Sequence, residues 1–326
     1  MDHLIGNTPL YQTRHLPVGQ STLSLKLEHL NFGGSIKDRI AVAMIEHAEQ
    51  VGDLRPGMRI LEATVGNTGL ALAQVANQRG YKTTIVAPDK MSTEKLNHLR
   101  AVGAEVIITR TDVPTGHSEH YQSIAKKMAE TSDQYYYVDQ FNNAANPQVH
   151  EQTTGPEIWE QTAGKVDAII MGAGTGGHLT GIGRYFNQVA PHVKIILADP
   201  AGSVFAKAVQ GKPLESQPWA IEGVGHDYIP TTCDLSCVDE AIAISDTEAF
   251  AASRLLLRRE GILAGASTGV VIAAAIAYAQ RQTQPQRLVS FVYDTGNKYL
   301  SKFYNDQWLA TQGLDVGTVD RMFKDD

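Results

Sequence analysis

The chain is poor in cysteine, has no excess of positive charge and lacks a long apolar run. Two cysteines, Cys233 and Cys237, stand among 326 residues. Their short spacing in a polar loop makes neither a disulfide framework nor a zinc-ligand pattern, so both read as free thiols of a reducing compartment. No metal site is expected. The formal net charge of -7 argues against nucleic acid or an anionic membrane as the main partner. The uncharged stretch from Leu263 to Gln280 contains Gly265, Ser267, Thr268 and Gly269. It reads as a loop followed by a buried core helix, not a membrane span. The opening Met1-Asp2-His3-Leu4 lacks the basic and apolar regions of a signal peptide, and a cytoplasmic location is expected.

What is present is glycine placed where chemistry can sit. In Asn31-Phe32-Gly33-Gly34-Ser35-Ile36-Lys37-Asp38-Arg39 two glycines make a tight turn. Ser35 reads as an N-cap and Asp38 completes a capping-box pattern. A helix is expected from Ile36 to about Val51, with Ile36, Ile40, Ala43 and Met44 on one face. Lys37 then falls in the first helical turn, where the macrodipole disfavours a cation. The same field lowers an amine's pKa and makes it a better nucleophile, which suits a lysine that forms an imine with an aldehyde cofactor. From this stretch alone, a solvated lysine that tolerates its site fits equally.

Elsewhere strand and helix alternate. Strands are expected at 23–28, 59–62, 82–87, 105–109, 168–171, 194–199 and 288–292. Helices are expected at 69–79, 92–102, 117–130 and 177–190. Ser245-Asp-Thr-Glu248 is a capping box opening a helix to about Glu260. The rhythm is that of βαβ units and parallel sheets covered by helices. The Asn-rich turn at 142–147 marks a boundary between two lobes. Residues 211–234 read as a long loop, and the chain after Leu309 as a polar tail.

Three glycine loops follow predicted strands: Thr64-Val65-Gly66-Asn67-Thr68-Gly69, Gly172-Ala173-Gly174-Thr175-Gly176-Gly177 and Gly265-Ala266-Ser267-Thr268-Gly269. Open α/β sheets bind ligands at this end of their strands, and a helix N-terminus there aims N–H groups at an anion. The second loop also reads as G-x-G-x-x-G with Asp199 closing the next strand, so a nicotinamide (NAD-dependent) oxidoreductase is a rival. The polar first loop, where a dinucleotide would want glycines, speaks against it.

Together with Ile5-Gly-Asn-Thr-Pro-Leu10 and Glu222-Gly-Val-Gly225, these motifs resemble the pyridoxal 5'-phosphate-dependent cysteine synthase and cystathionine β-synthase family. The resemblance runs from Ile5 to Leu309. It implies fold type II, an α/β architecture of two lobes, each a mostly parallel twisted sheet covered by helices. Residues 31–141 would form a smaller, mobile substrate-binding lobe, and 1–30 with 142–326 a larger lobe that binds the cofactor phosphate. Lys37 would be the Schiff-base lysine and the base. Asn67 would bond the cofactor's 3′ oxygen. Gly174, Thr175, Gly176, Gly177 and His178 would cradle its phosphate, and Ser267 would face the pyridine nitrogen. Thr64, Gly66, Thr68 and Gln140 would hold the substrate's α-carboxylate, with Val65 and Gly225 also lining the substrate site.

The implied activity is β-replacement on serine or an O-activated serine by a thiol. The segments 222–230 and 298–308 are most similar to cystathionine β-synthases, which use homocysteine; Gln140-Phe141 is more like the sulfhydrylases, which use sulfide. Four positions depart from the family pattern: Phe32, Ala63, Val65 and His178. Val65 and His178 also motivate a reading as a cofactor-binding homologue without catalysis, which an intact Lys37 opposes. A homodimer is implied by resemblance alone. The ends of the chain suggest neither a C-terminal regulatory module nor an N-terminal haem segment.

Overall fold

The computed structural model describes residues 2–89, 91–110, 112–315 and 317–318; the end of the polar tail read after Leu309 lies outside them. The apolar runs become strands buried on both faces. Ala168–Gly172 and Lys194–Pro200 are buried almost throughout, as parallel strands between helical layers must be.

Among the described residues ten strands make two sheets. They are β1 (Leu10–Gln12), β2 (Thr22–Lys26), β3 (Arg59–Ala63), β4 (Lys82–Pro88), β5 (Glu105–Thr109), β6 (Tyr135–Tyr137), β7 (Ala168–Gly172), β8 (Lys194–Pro200), β9 (Glu240–Ile244) and β10 (Arg287–Phe291). The six-stranded sheet has the order β1-β2-β10-β7-β8-β9, and the four-stranded sheet β5-β4-β3-β6. Among the described strand pairs only β1–β2 is antiparallel.

The helices are α1 (Lys37–Val51), α2 (Asn67–Arg79), α3 (Thr93–Ala101), α4 (Tyr121–Thr131), α5 (Ala145–Val149), α6 (Gly155–Gln161), α7 (Gly177–Val189), α8 (Phe205–Val209), α9 (Asp246–Glu260), α10 (Ala266–Gln280) and α11 (Asp306–Thr311). The core of the larger sheet includes Phe186, Phe205, Phe250, Phe291 and Phe303, all fully buried. On the smaller sheet, Ile40, Met44, Ile45 and Ile60 pack on one side and Leu61, Val86 and Ala125 form a separate cluster. None of the described helices is long and apolar enough to cross a membrane. α10 is the buried core helix expected from its sequence.

Three local expectations are corrected. The helix carrying Lys37 begins at Lys37, with Ile36 at the cap position and no side-chain cap. Ser35 stands one place earlier, its Oγ accepting the Lys37 N–H at 3.3 Å. Asp38 accepts the Gly33 N–H at 2.7 Å and so closes the glycine turn, with the Ser35 backbone N–H also favouring its charged form. The turn at 142–147 runs straight into α5, a π-wound turn at His150–Thr154, and α6. Pro147 falls in the first turn of α5, where a missing N–H removes no helical bond, and Pro156 directly follows the π-wound turn. The short edge strands β6 and β9 were not expected; Tyr135–Tyr137 has no alternation to announce it. The box at Ser245 and Glu248 is present, both hydrogen bonds included.

Candidate active site

The sheets present the carboxyl ends of β3 and β7 to a common cavity of about 940 Å³. Its lining includes Lys37, Thr64, Val65, Asn67, Thr68, Gln140, Gly174, Thr175, His178, Gly225 and Ser267. Gly66, Gly176 and Gly177 are not among the lining residues. Residues distant in sequence are thus brought together largely as the motifs imply.

α1 is fixed by buried ion pairs. Arg39, on the turn after Lys37, donates to both oxygens of Glu28 at 2.8 Å and of Glu157 at 2.7 Å. Glu28 is fully buried. It also accepts from Thr8 at 2.7 Å and from Asn31 at 2.8 Å, which ties the Asn7-Thr8-Pro9 segment to the glycine turn. Lys37 itself makes no hydrogen bond through its amine among the described residues. Loss of hydration lowers its pKa to about 8, against the opposing pull of Asp294, Glu28 and Asp38.

Beside it, the amide of Asn67 is pinned from both sides. Its Nδ2 donates to Asp294 at 2.7 Å and its Oδ1 accepts from Lys298 at 2.9 Å. Tyr299 donates to the same Asp294 oxygen at 2.7 Å. Lys298 also bonds the carbonyls of Gly33 and Gly34 at 3.3 Å, so one buried lysine joins the turn before Lys37 to Asn67. With the carbonyl occupied, what Asn67 can offer the cavity is its second N–H.

The first loop enters α2 at Gly66, whose φ of +135° no L side chain adopts readily; an added Cβ would stand 2.6 Å from Lys95 Cδ. Thr68 donates to Gln140 Oε1 at 2.7 Å. The Gln140 amide hydrogens go to Glu62 at 3.4 Å and the Ala63 carbonyl at 3.3 Å. In this arrangement Gln140 braces Thr68, and holding a substrate carboxylate would require those bonds to be exchanged. Burial raises the Glu62 pKa well above the ordinary carboxylate range.

The second loop forms an anion cradle. The N–H groups of Thr175 and Gly176 donate to no acceptor among the described residues, and they stand at the N-terminus of α7. Thr175 Oγ1 accepts from Asn146 at 3.0 Å and from the Gly177 N–H at 3.3 Å, leaving its hydrogen to donate. Gly176 has φ +81°, and a Cβ there would strike Cys233. These features fit a phosphate group. His178 Nε2 lies 3.0 Å from Tyr293 Oη, which accepts the Gly172 N–H at 2.8 Å. Burial, with Lys37 nearby, lowers the His178 pKa to about 3, so the ring is neutral at pH 7. Ser267 sits in the first turn of α10 facing the cavity, with Gly265 as the cap residue; its hydroxyl makes no hydrogen bond among the described residues.

Sequence reasoning missed Glu62, Asp294, Lys298 and Tyr293. A lone acid within Arg-Ile-Leu-Glu-Ala and an acid just past β10 were the available signals. Cys233 and Cys237 are buried with thiols pushed up to about 12 and about 11, consistent with packing roles against Gly176 and Gly183. Asp199, which the dinucleotide reading requires at a ribose, is fully buried and accepts the Ala206 N–H at 2.8 Å; it is absent from the cavity wall.

A family model described as "Pyridoxal-phosphate dependent enzyme" matches residues 1–294. The chain is 41% identical to the cystathionine beta-synthase of Apis mellifera over 95% of its own length, and spans 62% of that protein. It is 40% identical to cysteine synthase A of Escherichia coli K12, covering 91% of this chain and 92% of the other. A solved O-ureido-L-serine synthase superposes with a TM-score of 0.86 at 33% identity, over 94% of this chain and 98% of that one.

Proposed function

The chain belongs to the family of pyridoxal-phosphate dependent enzymes, and on that premise we propose that it catalyses β-replacement on serine or an O-activated serine, with homocysteine as the thiol and cystathionine as the product. The observation that carries the reading is a single cavity with Lys37 between a hydroxyl-rich loop and an anion cradle. Pyridoxal phosphate, when bound, supplies an electron sink that lets the Cα–H bond of an amino acid break.

The protein's residues do the rest. Thr175, Gly176 and the α7 N-terminus would hold the phosphate, Asn67 would donate to the 3′ oxygen, and Ser267 would face the ring nitrogen. A hydroxyl at that nitrogen does not enforce its protonation as a carboxylate does, which favours expulsion of a β substituent over transamination. Lys37 would hold the cofactor covalently. Displaced by the substrate amine, it would take the proton from Cα and return it after the thiol has added. Thr64, Thr68 and the backbone N–H groups of their loop would grip the α-carboxylate. Residues 31–141 would form the moving lobe and 1–30 with 142–326 the other, their closure excluding water.

Sulfide as the acceptor, giving cysteine, is the second reading; the 40% identity to a cysteine synthase A supports it. The test is a mass-spectrometric product assay of purified holoenzyme with serine or O-acetylserine against homocysteine or sulfide. Cystathionine formed at the higher kcat/KM supports the first reading, and cysteine alone refutes it. A homodimer is proposed on the same resemblance; sedimentation at a mass near 35.4 kDa, that of the chain, would exclude it.

A further inference from the structure

Two of the residues read as gripping the donor's α-carboxylate offer it no side-chain hydrogen as they stand. Thr68 gives its one hydroxyl hydrogen to Gln140 Oε1 at 2.7 Å, which leaves only lone pairs for the cavity it lines. Gln140 lines the same cavity, but its amide hydrogens are committed to Glu62 Oε1 at 3.4 Å and the Ala63 carbonyl at 3.3 Å. Glu62 is fully buried. Its oxygens also accept the Ala63 N–H at 2.9 Å and the Gln140 N–H at 3.3 Å. Among the described residues every hydrogen bond of Glu62 is one it accepts, and none comes from a cation. Burial, with Asp139 nearby, pushes its pKa well above the ordinary carboxylate range. That favours the protonated acid, whose hydrogen has no acceptor in this arrangement.

One movement resolves both shortages. Half a turn of the Gln140 amide about its terminal bond brings Nε2 to Thr68 Oγ1 and Oε1 to Glu62. Nε2 then donates to the Thr68 oxygen, and the Thr68 hydrogen is released toward the cavity. Gln140 Oε1 accepts the hydrogen of Glu62. A carboxylic acid oxygen can accept the Ala63 N–H and donate at the same time, whereas an ionised carboxylate cannot donate and an amide nitrogen cannot accept. We infer that Glu62 is a positioning residue for the donor's α-carboxylate: by donating to the turned Gln140 it frees the Thr68 hydroxyl to bind that anion. No proton leaves its residue in this exchange. The turned amide gives up its bond to the Ala63 carbonyl, so the resting arrangement prevails until the substrate's anion supplies the difference. The inference rests on the first loop as the carboxylate site and adds the residue that controls its donor.

The experiment measures inhibition constants on the holoenzyme for two fragments of serine. One is 3-hydroxypropanoate, which keeps the carboxylate and lacks the amine; the other is 2-aminoethanol, which keeps the amine and lacks the carboxylate. Glu62→Gln should weaken 3-hydroxypropanoate about ten- to a hundredfold, the effect of one hydrogen bond to a charged group. It should leave 2-aminoethanol within about threefold. Thr68→Val should show the same selective loss, and Glu62→Gln added to Thr68→Val should change little more, because both act through one hydroxyl. In the wild type, 3-hydroxypropanoate should move the infrared carbonyl band of a buried carboxylic acid to lower frequency as that acid begins to donate. This shift is read without any variant, and Glu62→Gln should lack the band. Losses that add in the double variant, equal losses for both fragments, no loss for either, or an unmoved infrared band overturn the positioning role. A Thr68→Val variant that binds 3-hydroxypropanoate as the wild type does overturns the first loop as the carboxylate site, and the positioning role with it.

Discussion

Tyr293→Phe isolates the polar support of the phosphate loop. The ring should stay, since it is stacked on Phe291 with centroids 5.5 Å apart and meets His178 edge-on at 5.2 Å. What is lost is the hydroxyl, and with it the acceptor of the Gly172 N–H at 2.8 Å and the partner of His178 Nε2 at 3.0 Å. Burial keeps that hydroxyl protonated far into the alkaline range, so the pair holds one proton between Oη and Nε2 at any working pH. Tyr293 is 5% exposed and His178 7%, so water is poorly placed to replace the bonds. Each orphaned buried group costs about 1–3 kcal/mol, giving about 2–6 kcal/mol for the two. Gly172 ends β7 and His178 stands in the first turn of α7, so the loosened segment is the loop between them. Urea unfolding of the apoprotein should show the stability loss. Equilibrium dialysis should show the dissociation constant of pyridoxal phosphate rising about tenfold, equivalent to about 1.4 kcal/mol. A variant within about 0.5 kcal/mol of wild type, the range of an unremarkable surface change, would refute the claim that this hydroxyl supports the loop.

Lys37→Ala should abolish covalent attachment, read as loss of the borohydride-trapped cofactor peptide; trapping at another lysine would sink the assignment. Because the Lys37 pKa is lowered to about 8, the neutral amine is the minor form below that pH. The rate of attachment to apoprotein should rise nearly tenfold per pH unit up to about 8 and then level; a flat profile between pH 6 and 8 would contradict it. Arg39→Met strands the fully buried Glu28 and should destabilise by about 3–5 kcal/mol in chemical denaturation. Glu28 and Glu157 both have lowered pKa values, Glu157 to about 2. Their stabilising effect is therefore present above the ordinary carboxylate range and lost as pH falls toward 2, so the variant should also show a flatter acid limb. Val65→Ser adds a hydroxyl within the first loop, on the cavity wall. It should improve kcat/KM for the amino-acid donor and reduce the preference for homocysteine over sulfide, and an unmoved ratio would show that valine only packs.

The path of the chain was largely readable because strands such as Ala168–Gly172 and caps such as Ser245 with Glu248 carry local, periodic signals. Loops that end strands and open helices bring Thr64, Val65, Asn67, Thr68, Gly174, Thr175 and His178 to one cavity. The supporting residues were not readable, because each is defined by a partner far away in sequence. Glu62 is an acid in an apolar strand until Gln140, 78 residues on, gives it a partner. Asp294 and Lys298 acquire meaning only when Asn67 stands between them. Ser35 and Asp38 match a local pattern, but the strongest hold on Asp38 in the fold is the N–H of Gly33 in the glycine turn.

The environment of Lys37 shows which of two opposed effects governs its amine. From the sequence alone, the helix macrodipole lowers the lysine pKa, an effect on the order of 0.3–1 kcal/mol near a helix end. In the fold, loss of hydration is the larger cause of the lowered pKa, and the carboxylates of Asp294, Glu28 and Asp38 pull the other way. Those carboxylates are largely committed elsewhere: Glu28 to Arg39, Asp294 to Asn67 and Tyr299, and Asp38 to the Gly33 N–H. Paired in this way, none of them forms a salt bridge with Lys37. A salt bridge would restore the ordinary lysine pKa and leave the amine protonated, as neither a nucleophile nor a base can be. The buried polar network beneath the cavity therefore holds negative charge close enough to define the site and far enough from the amine to leave it reactive.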